Sequence, residues 1–416
     1  MTQDDGYREL LRLCLHVDDP RSDLGKRHHL AEVLFLVVVA LLAGAQDAEG
    51  IAEFGVFHLA WFRRFVAFEH GVPSHDTVLR LLGLVNPDAI ETLSRTWTSA
   101  LREPGALTVD GRHVAIDGQA LRGSIDRRAG TSAVHMVSAY LTRQGITLGT
   151  VRVDDKSNEI NAIPELIRSL NLRGATVTID AMGCQRGIAA TIREAGAHYV
   201  LQVKENQKKL HDDIAASMAD LVRRRRPGEA PAAMERHRDT DKGHGRIETR
   251  ACVLSRDLAG IERRAEWQGL SAIAAVARER EDVISGKKSR ETSYFIVSDP
   301  SASAAQVSDI IRNHWAIENG LHWSLDVVWG SDGHKVRDRA AAENLARLRR
   351  FSAGLVKQAT GWGMSGRRVR QACTMSPDHV LRVLAGDVIA RTPKRVPNRN
   401  AAGKREYVVR ATNTKP

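Results

Sequence analysis

Apolar and polar positions along the chain follow three successive rhythms. Over residues 1–100 the spacing is helical. Apolar residues run almost unbroken from Leu34 to Leu42, which predicts a helix surrounded on all sides. A second helical run carries Phe54, Phe57, Trp61 and Phe65, and a third carries Val78, Leu81, Leu82 and Val85. Ser74 after Pro73 supplies an N-cap for the third, and Asn86-Pro87 ends it. From about residue 105 the rhythm shortens to that of strands. Val114–Asp117, Val134–Tyr140 and Leu148–Val153 read as three strands, followed by a helix over Glu159–Leu170 with Ile160, Ile163, Leu166 and Ile167 on one face. A strand (Ala175–Asp180), a helix (Gln185–Ala195) and a strand (His198–Val203) complete this block. In the third stretch, Arg246–Leu254, Ser271–Ala277 and Thr292–Val297 have strand character before helices return around Glu318 and over Ala340–Lys357, where Leu345, Leu348, Phe351 and Leu355 point inward.

The order β-β-β-α-β-α-β predicts an α/β fold of the ribonuclease-H-like kind, a mixed sheet covered by helices. In such a sheet the first and fourth strands lie side by side, an analogy of fold rather than a consequence of spacing. The expected organisation is a helical N-terminal domain for DNA binding or association (1–104), a core (105–375) with a β-rich insertion at about 205–300, and a basic C-terminal tail (376–416), disordered beyond Arg391.

Three acids stand out against this pattern. Asp117 closes R-H-V-A-I-D-G, Asp180 closes A-T-V-T-I-D-A, and Glu318 lies within N-H-W-A-I-E-N-G-L-H-W. A carboxylate at the end of a buried strand loses hydration, so two of them call for a compensating charge. Shared divalent cations provide one, and paired ions of this kind stabilise both oxygens of an in-line phosphoryl displacement. Hard oxygen donors favour Mg²⁺, with Mn²⁺ as substitute. The acidic cluster Asp154, Asp155 and Glu159 reads instead as a turn and helix entry, where acids complement the helix dipole.

Charge points the same way. Lys and Arg number 61 against 50 Asp and Glu, a net charge of +11 that favours a polyanionic partner such as nucleic acid. Four cysteines without a C-x-x-C pair argue against a disulfide framework and fit a reducing cytosol. The apolar run from Val33 to Ala45 falls short of the roughly 18 residues a membrane span needs, so a cytoplasmic, nucleoid-associated protein is expected. Candidate DNA contacts are Arg80, exposed with His75 on a helix that could form a helix-turn-helix, together with Arg122, Lys204 and Arg246, and His314 and His322 beside Glu318. Arg223–Arg226 and the Lys287-Lys288-Ser289-Arg290 run are further basic groups of the insertion. His314, Glu318 and His322 recur every four residues and would share one α-helical face, a spacing that also admits Zn²⁺. The H-E-x-x-H spacing of helical zinc proteases is absent.

At these residues the chain resembles the DDE transposases of bacterial insertion sequences, specifically the ISAs branch of H-repeat-associated proteins. The resemblance rests on V-P-S-H-D-T-V near residue 75, A-I-D-G-Q-A-L-R-G at Asp117 and D-A-M-G-C-Q at Asp180. It continues in Y-V-L-Q-V-K-E-N-Q from Tyr199, H-G-R-I-E-T-R from His244 and N-H-W-A-I-E-N-G-L-H-W-S-L-D from Asn313. It covers nearly the whole chain and implies Asp117, Asp180 and Glu318 as a metal-holding catalytic triad, Mg²⁺ dependence, and DNA ends paired by a dimer or larger assembly. One departure is plain. Where the wider group surrounds its catalytic Glu with a Tyr, an Arg and a Lys that grip phosphate, this chain has Ile311, His314 and Leu325. Two other readings fit the same residues: a nuclease of this fold that cuts without joining, and an inactive DNA-binding remnant.

Overall fold

The N-terminal part consists of α1 (Gln3–Leu15), α2 (Leu30–Leu42), α3 (Ala48–Phe57), α4 (Leu59–Phe62), α5 (His75–Leu84) and α6 (Pro87–Ala100). Every residue of α2 is buried, since a helix apolar on all faces has none to offer water. Ser74 Oγ accepts from the Thr77 N–H at 3.3 Å and starts α5 where its sequence indicates. The computed structural model describes residues 2–22, 24, 26–100, 111–153, 158–223, 234–243, 245–333, 335–360, 364–387, 396–399 and 405–408. Asp154 and Asp155, Arg224–Arg226, His244 and the expected boundary at 104/105 therefore lie outside the described residues.

Next come β1 (His113–Leu121), β2 (Val134–Leu141), β3 (Ile146–Val153), α7 (Glu159–Arg168), β4 (Thr176–Ile179), α8 (Arg186–Glu194), β5 (His198–Val203) and α9 (Lys208–Arg223). They are followed by β6 (Met234–Gly243), β7 (Arg246–Ser255), β8 (Ala272–Asp282), β9 (Lys288–Val297) and α10 (Ala304–His314). Two π-helical stretches, Ile317–His322 and Ser324–Val328, lead to α11 (Arg339–Gln358), α12 (Gly366–Met375) and α13 (Asp378–Ala385). In the tail, expected to be disordered, β10 (Val396–Arg399) pairs antiparallel with β11 (Arg405–Val408).

Strands β1–β9 form one sheet in the order β3-β2-β1-β4-β5-β9-β8-β7-β6. The β1/β4 and β4/β5 pairs are parallel and the remaining neighbours antiparallel. The insertion is continuous with this sheet: β5 pairs with β9 from Val200↔Val297 to Val203↔Tyr294. Without β9, the backbone of β5 would present an unpaired edge.

Alternation along the strands divides the interior into separate cores. Val114, Ile116, Val137 and Ala139 face α7 and α8, while Ala115, Met136 and Tyr140 face the opposite way, toward the π-helical stretch and α11. The N-terminal helices share this second core with α11, α12 and α13. Asn344 of α11 donates to the carbonyls of Leu82 (2.7 Å) and Val85 (2.8 Å), which ties the end of α5 to the C-terminal helices. α11 buries Leu345, Leu348, Phe351 and Leu355 as its periodicity indicates, and Arg347, Arg349 and Arg350 besides. Each of these arginines has partners inside: Arg347 pairs with Glu91 at 2.5 Å and Glu343 at 2.8 Å, Arg349 donates to the Gln46 carbonyl, and Arg350 donates to Gln119 at 2.8 Å and Ser138 at 3.1 Å.

Candidate active site where β1 and β4 part

The last paired residues of the parallel β1/β4 ladder are Ile116 and Ile179, so Asp117 and Asp180 come next, side by side. Asp180 lies just past the end of β4, but Asp117, expected to close its strand, sits in the middle of β1, which continues to Leu121. β4 stops because Asp180 becomes a cap: its Oδ1 accepts from the Gly183 N–H at 3.1 Å and opens a tight turn over Ala181–Gly183. Asn206 Nδ2 donates to the Ala181 carbonyl (2.7 Å) and Gln207 Nε2 to that of Cys184 (3.0 Å), so both side chains brace this turn. β1 runs on to Leu121 paired only with β2, which leaves its other edge open past Asp117.

Around that opening the acids converge. Burial pushes Asp117 up to about 7, and the negative charges of Glu159, Glu318 and Asp180 push in the same direction. Asp180 is raised too, by burial first and then by Glu159, with the Lys204 ammonium opposing. The acids Asp117, Asp180, Glu159 and Glu318 form no ion pair with Lys or Arg among the described residues; the close basic neighbours of Asp117 and Glu159 are histidines. His322 Nδ1 lies 3.5 Å from Asp117 Oδ2, and His135 Nε2 lies 2.7 Å from Glu159 Oε1. Glu159 is thus a member of the cluster, not only a helix-entry acid. A mid-strand glycine signals close approach of another group, and Gly118 was the sequence feature that could have pointed to it.

The chain around Glu318 departs from the α-helix expected of it. α10 ends at His314, and Glu318 lies in a π-helical stretch, whose wider turn breaks the four-residue alignment of His314, Glu318 and His322. The two histidines go to different strands. His314 Nδ1 is 2.8 Å from Thr178 Oγ1 of β4, which lies 2.7 Å from His113 Nε2. His322 turns to Asp117 of β1. Burial depresses His314 to about 4 and His322 to about 3, so both are neutral at pH 7. Glu318 itself is exposed, between the half-exposed Trp315 and Trp323.

A cavity of about 330 Å³ opens beside these acids, lined by Asp180, Lys204, Arg312, His314, Trp315 and Glu318 among others. Lys204 and His314 therefore share a wall with the two acids. The remaining cationic candidates sit elsewhere. Arg122, at the far end of β1, faces Asp332 at 3.8 Å; Arg246 begins β7 opposite Asp282; and Arg80 is exposed on α5. Ile311 also lines the cavity, while Leu325 is fully buried. Among the described residues no three His, Cys, Asp or Glu side chains close into a finished metal-ligand set. The donors fit a hard divalent cation in kind, since carboxylate oxygens predominate and their charge is uncompensated by Lys or Arg. They do not fit Zn²⁺ held by His314, Glu318 and His322, because the two histidines bond to different strands.

Residues 108–353 match the family model described as Transposase DDE domain, and residues 13–98 match one described as DDE_Tnp_1-associated. The chain is 32% identical over 381 residues to "Putative transposase YncI" of Escherichia coli O157:H7, covering 91% of this chain and 95% of that one. It is also 32% identical to "H repeat-associated putative transposase YhhI" of Escherichia coli K12, over 91% and 99% of the two chains. The chain belongs to the DDE transposase family. A solved piggyBac transposase synaptic complex with hairpin DNA aligns over 96% of this chain and 85% of its own at 11% identity, with a TM-score of 0.38, too weak a likeness to argue from. No helix among the described residues is long and apolar enough to cross a membrane.

Proposed function

We propose that the protein is a DNA transposase of a bacterial insertion sequence. It cuts the element's ends and joins the liberated 3′-OH to target DNA, on a ribonuclease-H-like core centred on Asp117, Asp180 and Glu318. The observation that supports this best is the parallel β1/β4 register, which sets Asp117 and Asp180 side by side with Glu318 close enough for its charge to act on Asp117. These three carboxylates would hold Mg²⁺ or Mn²⁺. When bound, such ions supply Lewis-acid stabilisation to the attacking and leaving oxygens of an in-line displacement.

The chain's own residues do the rest. Neutral His322 orients the Asp117 carboxylate, and the capped turn after β4 fixes Asp180. Lys204 brings a positive charge to the cavity wall, where a phosphate would sit against it. Trp315 and Trp323 offer half-exposed rings beside Glu318 on which bases can stack. DNA ends and target DNA are the partners, and pairing two ends requires at least a dimer. Such a protein works in the cytoplasm at the nucleoid.

The test is strand cleavage and joining on DNA carrying the gene's own flanking ends, with Mg²⁺ or Mn²⁺, comparing the wild type with Asp180→Ala. Metal-dependent cleavage and joining, lost in the variant, is the expected result. Cleavage without joining indicates a nuclease, and binding without cleavage an inactive remnant.

A further inference from the structure

We propose that Glu159 is a fourth carboxylate of the divalent-cation centre, held toward it by His135. This rests on the reading of Asp117 and Asp180 as cation-holding residues. Glu159 is the first residue of α7, a position where an acid ordinarily needs no explanation beyond the helix dipole. Its surroundings say more. A Cβ built on Gly118 would lie 2.2 Å from Glu159 Oε1 and 2.5 Å from His135 Nε2. The backbone directly after Asp117 is therefore bare where the Glu159 carboxylate and the His135 ring press against it, and only glycine leaves that room. His135 Nε2 in turn lies 2.7 Å from the same carboxylate oxygen, which sets the ring against it. The charge of Glu159 acts on both Asp117 and Asp180.

A separate feature lies beside Asp117. His322 is only 8% exposed, and its Nδ1 faces Asp117 at 3.5 Å. Its Nε2, like that of His135, is buried with no hydrogen-bond partner among the described residues. A buried polar group left so is costly, and the cost is relieved when a hydrated cation enters and brings water with it. Asp117 with His322 and Glu159 with His135 thus make two acid–histidine pairs around Gly118. In each the imidazole lies against a carboxylate whose other lone pairs are left for a cation.

The experiment is Mn²⁺ binding to the full chain, read by electron paramagnetic resonance titration, for wild type and for Asp117→Asn, Glu159→Gln, His135→Ala and Gly118→Ala. Thermal unfolding checks that each variant is folded. Glu159→Gln should weaken Mn²⁺ binding by about 10-fold or more, and His135→Ala by about 10-fold, the usual scale for a group orienting a ligand. Gly118→Ala, which keeps every carboxylate but displaces Glu159, should weaken it as Glu159→Gln does. It also serves as the test if Glu159→Gln fails to fold. Loss in Asp117→Asn with wild-type affinity in Glu159→Gln or Gly118→Ala overturns the role of Glu159 alone. No Mn²⁺ uptake by the wild type overturns the cation centre itself, and Glu159 with it.

Discussion

The two halves of the sheet treat acidic residues in opposite ways. In the extension, acids are matched to cations: Glu248 with Arg280 at 2.9 Å, Glu291 with Arg278 at 2.8 Å, Glu235 with Arg256 at 2.8 Å, and Glu281 with Lys288 at 3.1 Å. Arg312 and Arg250 are engaged by Asp239 and Asp241. Around Asp117 and Asp180, by contrast, the acids form no ion pair with Lys or Arg among the described residues, and the close basic neighbours of Asp117 and Glu159 are histidines. Carboxylates held together without a cation store unfavourable free energy, and a fold keeps such a cluster where something else is to neutralise it. The contrast also bears on DNA binding. Much of the extension's positive charge is already spent on its own acids, so composition alone overstates what it offers to phosphates.

The strongest way to break this comparison is to neutralise the acids of the site. Asp117→Asn, Asp180→Asn or Glu318→Gln should each lower cleavage and joining by about 10²–10³-fold or more, the scale of losing one charge-stabilising group of a reaction centre. Gel assays of cut and joined products check this, and near-normal turnover in any one variant removes that residue from the centre.

A buried ion pair in the shared core provides the next contrast, since there the acid already has its cation. Glu91 accepts from Arg347 at 2.5 Å and from the Thr150 N–H at 2.9 Å. Glu91→Gln should cost about 3 kcal/mol of stability by denaturant unfolding, because a buried guanidinium loses its counter-charge. Indifference to this change would mean that Glu343 suffices for Arg347.

Acidity separates the two regions further. Asp117 titrates near 7 in the fold against 3.8 as an ordinary aspartate, so the native state holds the extra proton between these values. Its contribution to stability is therefore greatest at low pH and is lost as pH rises from about 4 through 7. In metal-free buffer Asp117→Asn should raise the melting temperature at pH 8 and leave it nearly unchanged at pH 4. An equal shift at both values would show that the carboxylate is not destabilised by its surroundings. The smallest effect belongs to the extension: Glu281→Gln, removing the exposed pair with Lys288, should cost under about 1 kcal/mol and leave cleavage intact.

Much of this was legible in the chain because it depends on local pattern. Alternating apolar residues mark β1, β4 and β5, continuous ones mark α2, and Asp117, Asp180 and Glu318 declare themselves as acids in apolar or aromatic surroundings. Less was legible where distant segments meet. Glu159 looks like any acid at a helix start until Gly118 and His135 are beside it. The α-helical spacing of His314, Glu318 and His322 is real in sequence but is undone by the π-helical backbone that carries them. The buried Arg347, Arg349 and Arg350 read as the polar face of α11, since no local signal tells a solvated arginine from one met by Glu91, Gln46 or Gln119.

By itself, then, the sequence determined which segments are strands and helices and which acids are out of place, because side-chain periodicity and the cost of burying charge act within a few residues. The tertiary structure alone decided that the extension continues the core sheet through β5 and β9, and that the N-terminal helices share a core with α11. It also decided that Asp180, Glu318 and Glu159 come close enough for their charges to act on Asp117, a meeting fixed by strand register and helix packing between residues far apart in the chain.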